Sequence, residues 1–179
     1  IKGEYTLGGL LSDRQKTVDD LKRNGLYDMN RQIELPLVPQ RIAVLSALDS
    51  KGFEDAIHVL KNNQQGYGFD VRLFPVMLQG NRAALSIAEQ LKQISERRTE
   101  FDIVVLIRGG GGNVDLHCFN SYTLAEAVAL CPLPVITGIG HTADVTVADE
   151  VAAVSRQTPT AVAQFIISQC EQFENGIKR

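Results

Sequence analysis

Ile103-Val104-Val105-Leu106-Ile107-Arg108-Gly109-Gly110-Gly111-Gly112 is the stretch that decides how the chain folds. Five aliphatic residues without a polar break have the length and character of a strand buried on both faces, as in parallel sheets. Four glycines follow at its carboxyl end, where no side chain keeps a ligand off the backbone. Gly-rich turns in that position are where α/β folds seat phosphates. Arg108 adds a planar, permanently charged fork for phosphate oxygens. The same run also fits a plain connecting loop with a structural arginine, so the surrounding sequence has to separate the two.

Working outward, strands alternate with helices. A first strand spans Arg41 to Ala47 and leads through Leu48-Asp49-Ser50-Lys51-Gly52 to a helix from Phe53 to about Asn62. Val71 to Val76 form a second strand, followed by a helix from about Asn81 to Arg98. After the glycines, Leu116 to Phe119 return to the core, a helix covers Ser121 to Leu130, and Leu133 to Thr137 form a fourth strand. A helical stretch covers Asp144 to Val154, and Thr158-Pro159 cap and open a last helix. Its stripe of Ala163, Ile166, Ile167, Cys170 and Phe173 fits either this domain's core or a partner seam. The alternation predicts an α/β fold: an open, mainly parallel sheet of about four strands with helices on both faces, plus an N-terminal helical lead-in and a C-terminal helix. In the order 2-1-3-4 the switch point falls between the first and third strands. The loops after Ala47, after Arg108 and from Gly138 to Asp144 then converge.

The lead-in places Leu7, Leu10, Leu11, Val18 and Leu21 on one helical face, with Gly25 as its stop. Leu35-Pro36-Leu37-Val38-Pro39 is extended, because each proline biases its predecessor away from the helix. The expected organisation is a lead-in or linker at 1–39, an α/β catalytic domain at 40–158 and the start of a C-terminal helical region at 159–179. The chain starts at Ile1, which suggests a fragment of a longer protein. Three cysteines without CxxC spacing and no membrane-length apolar run point to a reduced, cytoplasmic setting without membrane contact. A formal net charge of −3 argues against holding nucleic acid by bulk electrostatics, although a local phosphate site remains compatible.

Gly138-Ile139-Gly140-His141-Thr142-Ala143-Asp144 is the second chemical signal. The glycines turn the chain off the fourth strand and deliver a histidine, which titrates near neutrality and can give or take a proton. Asp144, three residues on, is spaced to orient the imidazole or to bind a metal or water, and equally to cap a helix. Asp55 lies one turn into the first helix of the α/β part, where it faces the same cleft or simply complements the helix dipole. Asp115 fits a loop brace, and the pairs Asp55/His58 and Asp115/His117 lack a third ligand at metal-site spacing. Neither a nucleophile elbow nor a GxxxxGK[ST] loop occurs.

These segments together resemble the catalytic domain of the exonuclease VII large subunit. The matching pieces are Leu26-Tyr27-Asp28, Pro39 to Val44, Glu54 to Lys61, Gln79-Gly80, Arg108 to Gly111, Asp115-Leu116, Phe119-Asn120, Pro134 to Ile136, Gly140-His141, Asp144 to Asp149 and Thr158 to Ala161, in order and at spacing from about Gly25 to Ala163. The resemblance implies an exodeoxyribonuclease that degrades single-stranded DNA from both ends to short oligonucleotides with 5′-phosphates. It also implies small subunits as partners, gathered by a C-terminal helical region. By motif, the catalytic residues fall on Asp55, Arg108, His141 and Asp144, and phosphate binding falls on Arg108, Gly109, Gly110, Gly111 and Gly140. It leaves the reaction either independent of cofactors or assisted by a divalent cation such as Mg2+, with Asp55 and Asp144 as the ligands. The chain departs from the family pattern at Ala47 to Ser50, Gly112 to Val114, His117, Thr142 and Ser155 to Gln157.

Overall fold

Five strands lie side by side and all parallel: β1 (Arg41–Ser46), β2 (Asp70–Pro75), β3 (Ile103–Ile107), β4 (Val135–Gly138) and β5 (Val154–Ser155), in the order β2-β1-β3-β4-β5. Around them sit α1 (Leu7–Arg23), α2 (Lys51–Lys61), α3 (Ala83–Glu96), α4 (Tyr122–Leu130), α5 (Val147–Val151) and α6 (Pro159–Lys178). The structure is a computed structural model and describes residues 7–78, 80–109, 116–140 and 145–178. The α/β class and the switch point between β1 and β3 are as expected. The short β5 is an addition. The helix expected to run to Val154 stops at Val151, because Ala153 N–H bonds Val135 O (2.9 Å) and Arg156 N–H bonds Thr137 O (2.8 Å). Those two ladder bonds draw the chain onto the edge of β4 instead of into another helical turn.

Strand order dictates where the helices go. The chain moves to one side from β1 to β2 and to the other from β2 through β5. Right-handed crossovers then place α2 on one face and α3, α4 and α5 on the opposite one. Ala43, Leu45, Val104, Leu106 and Val135 pack with α1, α3, α4 and α5. Ile42, Val44, Ile103, Val105, Ile107 and Ile136 pack with α2 and α6. Every residue of β3 is at most 3% exposed, as its unbroken apolar run requires. Since the later crossovers all cover one face, α6 has to return across the other. Val162, Ala163 and Ile166 are buried there, whereas Phe173 and Ile177, farther along, are exposed. No helix among the described residues is long and apolar enough to cross a membrane.

The lead-in is fastened to the sheet by one side chain. α1 ends at Gly25 (φ 73°), with Leu26 N–H bonded to Leu21 O and Gly25 N–H to Lys22 O, a Schellman stop. Val18 and Leu21 enter the core. Asn30, fully buried, then donates through Nδ2 to Cys131 O (3.3 Å) and Leu133 O (3.0 Å) and accepts at Oδ1 from Val135 N–H (2.8 Å) and Ala153 N–H (3.0 Å). Two carbonyls on one side and two amides on the other admit only one orientation of the amide group. Asn30→Ala leaves the carbonyls and the Val135 amide unpaired, and we expect a loss of about 3 kcal/mol or more by urea denaturation. Asn30→Asp, nearly isosteric, should be as damaging because it turns an acceptor toward two carbonyls.

At the amino edge, Asp102 accepts from Gln40 N–H (3.0 Å), Arg41 N–H (2.8 Å) and the Arg41 guanidinium (2.9 Å). Burial alone would raise its pKa, but the Arg41 side-chain bond and the two backbone amides outweigh it and hold the carboxyl below its usual range. A depressed carboxylate stabilises the fold above its unfolded pKa of about 3.9 and loses that contribution as the pH falls through the folded value. Asp102→Asn should therefore cost about 1–3 kcal/mol at neutral pH, with the difference from wild type closing below about pH 4 in denaturation series at stepped pH.

Candidate functional site

All the strand exits that the fold brings together lie at the carboxyl edge of the sheet. After β1 a turn closes through Ser50 N–H to Ala47 O (3.3 Å), and the Ser50 hydroxyl accepts from Phe53 N–H (3.1 Å), starting α2 at Lys51, two residues before its apolar stripe begins. This first turn is pressed against the exit of β3. A Cβ added to Gly52 would lie 2.7 Å from Gly109 Cα and 2.7 Å from Pro159 Cγ, and one on Gly109 would lie 2.3 Å from Gly52 Cα. Only glycine fits at either position. Pro159 is the first residue of α6, and a Cβ on Gly138 would lie 2.7 Å from Val162 Cγ2. The amino ends of α2 and α6 thus close on Gly109 from two sides. Both helices direct their positive dipole ends there. Gly109 therefore answers to helix packing as well as to any ligand. Gly52, which reads in the sequence as loop punctuation, is its necessary counterpart.

Arg108 is half-buried at the same exit. Its Nη1 donates to Ile139 O (3.3 Å) and Gly140 O (3.4 Å), long bonds to neutral acceptors, and no carboxylate among the described residues pairs with it. Gly140 has φ 77°, the left-handed region that favours glycine, and a Cβ there would lie 3.5 Å from Gln157 O and 3.9 Å from Arg108 O. The exits of β3, β4 and β5 therefore meet around Gly140. Arg156, on the β5 exit, lies over the Phe165 ring (4.6 Å) and donates to Ser155 O (2.9 Å), again without a carboxylate partner among the described residues. The sequence shows Arg156 only as one of the departures from the family pattern, with no role in the site. The available signal was an arginine between a strand and the Thr158-Pro159 helix start.

Asp55 lies one turn beyond Gly52 on α2. Its side chain is about half exposed and pairs with Lys51 Nζ at 3.5 Å, a surface pair of little energetic weight. The structure thus brings Arg108, Gly109 and Gly140 together and sets the first turn of α2, one turn before Asp55, against Gly109. His141, Asp144, Gly110 and Gly111 lie outside the described residues, as does Asp115. No group of three His, Cys, Asp or Glu side chains suited to a metal occurs among the described residues. Of the two carboxylates proposed as cation ligands they contain Asp55 alone. His58 is engaged by Asn62 (3.2 Å) on its own helix.

Beneath these exits lies a buried carboxylate. Asp149, 4% exposed, accepts from Thr137 Oγ1 (2.7 Å), Thr146 N–H (3.0 Å), Thr146 Oγ1 (2.8 Å) and Ser155 Oγ (3.1 Å). It joins the end of β4, the cap of α5 and β5. Arg14 of α1 reaches across to Val145 O (2.8 Å) and Glu150 (2.8 Å). Both contacts brace the frame that carries the exits.

Comparisons with known proteins identify the family. A family model described as exonuclease VII, large subunit, matches residues 26–179. The chain is 35% identical over 158 residues to the exodeoxyribonuclease 7 large subunit of Nitrosomonas eutropha, covering 88% of this chain and 35% of that protein. Against the same subunit of Thioalkalivibrio sulfidiphilus it is 38% identical over 146 residues, covering 82% of this chain and 32% of the relative. For Cyanothece the values are 36% over 176 residues, covering 93% and 41%. The chain therefore spans about a third to two fifths of the length of the curated relatives it matches. With a family model covering every residue from 26 to the end, the chain belongs to the exonuclease VII large subunit family.

Proposed function

We propose that this chain is the catalytic domain of an exodeoxyribonuclease that hydrolyses phosphodiester bonds of single-stranded DNA from both ends, releasing short oligonucleotides. The observation that carries the reading is the carboxyl edge at Gly109. Two helix amino ends converge there beside Arg108, a half-buried guanidinium without a carboxylate partner among the described residues. Such a place suits an anion better than a neutral ligand.

In this mechanism the scissile phosphate sits against the Gly109 exit. Arg108 and backbone amides hold its non-bridging oxygens and stabilise the charge that grows on them as water attacks phosphorus. Arg156 adds a second cation on the β5 side. His141 exchanges the proton, taking it from the attacking water or giving it to the departing 3′-oxygen, with Asp144 orienting the imidazole. Breaking that bond leaves a 5′-phosphate on the product. Asp55 orients the water; Asp55 and Asp144 are also the residues that would hold a divalent cation, which would offset negative charge on the phosphate oxygens. The roles of His141, Asp144 and Asp55 rest on the sequence motif. Small subunits would assemble through the continuation of α6, where Phe173 and Ile177 are already exposed, and the complex would work in the cytoplasm.

The test uses the full-length subunit assembled with its small partner and a labelled single strand. Arg108→Ala should lower kcat by about 10²–10³-fold, the range for losing one preorganised charge-stabilising donor. Arg108→Lys should recover only part of the loss, since an ammonium cannot present the same fork. Unchanged turnover in Arg108→Ala or in His141→Ala would refute the assignment. Gly52→Ala probes the packing: the added methyl forces α2 from Gly109, so we expect a stability loss of about 1–3 kcal/mol and a fall in turnover larger than unfolding at the assay temperature accounts for.

A further inference from the structure

α2 leaves the Gly109 contact and carries Phe53, Ile57 and Lys61 along one stripe, at i, i+4 and i+8. Facing this stripe, Tyr67-Gly68-Phe69 leads into β2, and a groove of about 550 Å³ runs between the two. The chain has seven Phe, four Tyr and no Trp, yet three of those rings line this one groove. Phe53 and Phe69 pack on the core beneath but are only partly buried.

The loop opposite α2 is held in shape. Asn63 Nδ2 donates to Leu60 O (2.6 Å) and Tyr67 O (2.9 Å), while its Oδ1 accepts from Tyr67 N–H (2.8 Å). The Tyr67 hydroxyl donates to Glu174 of α6. Lys61 is exposed at the far end and makes no ion pair among the described residues, whereas Asp70 is offset by Arg72 at 3.9 Å. The groove therefore starts one residue from Gly52 at the carboxyl edge and follows α2 for roughly 12 Å at 1.5 Å per residue toward the amino edge, where Phe69 precedes Asp70, the register partner of Arg41. It combines fixed aromatic walls with a free cation.

We propose that this groove seats the bases of the single strand as it leads away from the phosphate held at Arg108 and Gly109 toward the amino edge of the sheet. This rests on the nuclease reading above. Phe53 supplies a stacking face near that phosphate and Phe69 one farther along, and Lys61 meets a phosphate at the amino end of the groove. Every base has a π-face, so stacking of this kind tolerates any sequence. It also accounts for substrate grip in a chain whose net charge of −3 cannot supply it in bulk.

The test compares kcat/KM for an oligothymidylate with that for an abasic strand of the same length, on the full-length subunit assembled with its small partner. Binding to other parts of the complex is common to both variants of the domain, so the change in the ratio isolates the bases. Phe69→Ala should lower the ratio of intact to abasic strand about tenfold, the scale of one stacked base. Phe69→Leu, which keeps apolar volume but removes the π-face, should do the same while preserving the thermal midpoint. Lys61→Ala should slow both strands equally. An unchanged ratio in Phe69→Leu would overturn the proposal, as would loss of small-subunit assembly in that variant, which would make the groove a protein seat. If Arg108→Ala is inactive and Phe69→Leu keeps the wild-type ratio, only the groove proposal fails. If Arg108→Ala is fully active, the nuclease reading fails with it.

Discussion

The structure depends on a contact that has no side chains in it. Gly52 and Gly109 meet backbone to backbone, with Pro159 closing the third side, so close that a single methyl on either glycine would overlap the other. Close-packed interiors do not absorb such overlaps cheaply. Because the contact joins the start of α2, the exit of β3 and the start of α6, a shift at one propagates to the others. The same contact brings two helix amino ends to one point. Packing and electrostatics are therefore the same design choice here: the residues that permit the close approach also leave the backbone open to an anion.

That convergence follows from how the sheet is wound. Right-handed crossovers on either side of the switch point assign α2 to one face and the later helices to the other. The face left bare over β3 and β4 needs α6, and α6 can reach it only by starting at the β5 exit beside Gly138 and Gly140. The edge strand β5 is short, so its position has to be fixed by polar contacts rather than by a long ladder. Asn30 reaches Ala153 from one side and Asp149 reaches Ser155 from the other. Both are buried polar groups whose hydrogen-bonding capacity is largely filled, the condition under which such groups specify a geometry instead of destabilising it.

Periodicity made the central strands legible: nothing but a doubly covered strand suits Ile103 to Ile107. It also located the last helix, although the same stripe left open whether core or partner covered it. The burial of Ala163 and Ile166, with Phe173 exposed, follows from how far the sheet extends, which no local pattern encodes. β5 escaped because two residues carry no period. The start of α2 was placed late because its apolar stripe begins at Phe53, whereas the cap chemistry at Ser50 sets the boundary. Asn30 and Gly52 were illegible for a different reason. Their partners lie between 57 and 123 residues away, and a lone Asn or Gly in a sequence looks like a turn. In the candidate site, Arg108 and the glycines announced themselves by composition, whereas Arg156 acquires meaning only once β5 lies beside β4.

A net negative charge and a phosphate site are compatible because the charges are sorted. Arg41, Arg72 and Arg97 are matched by Asp102, Glu100 and Asp70 near the amino edge, and Glu100, held by Arg97 and Arg72, has its pKa lowered to about 2. Such clusters are nearly neutral at a distance and are screened within about 10 Å at ordinary salt. Arg108 and Arg156 lie at the opposite edge and have no matching acid among the described residues. The potential that a phosphate meets there is set by those guanidiniums and the two helix ends, not by the sum over the chain. One or two free guanidiniums grip one phosphate, not a track of them. The rest of the hold on a strand must then come from uncharged contacts or from other parts of a longer protein.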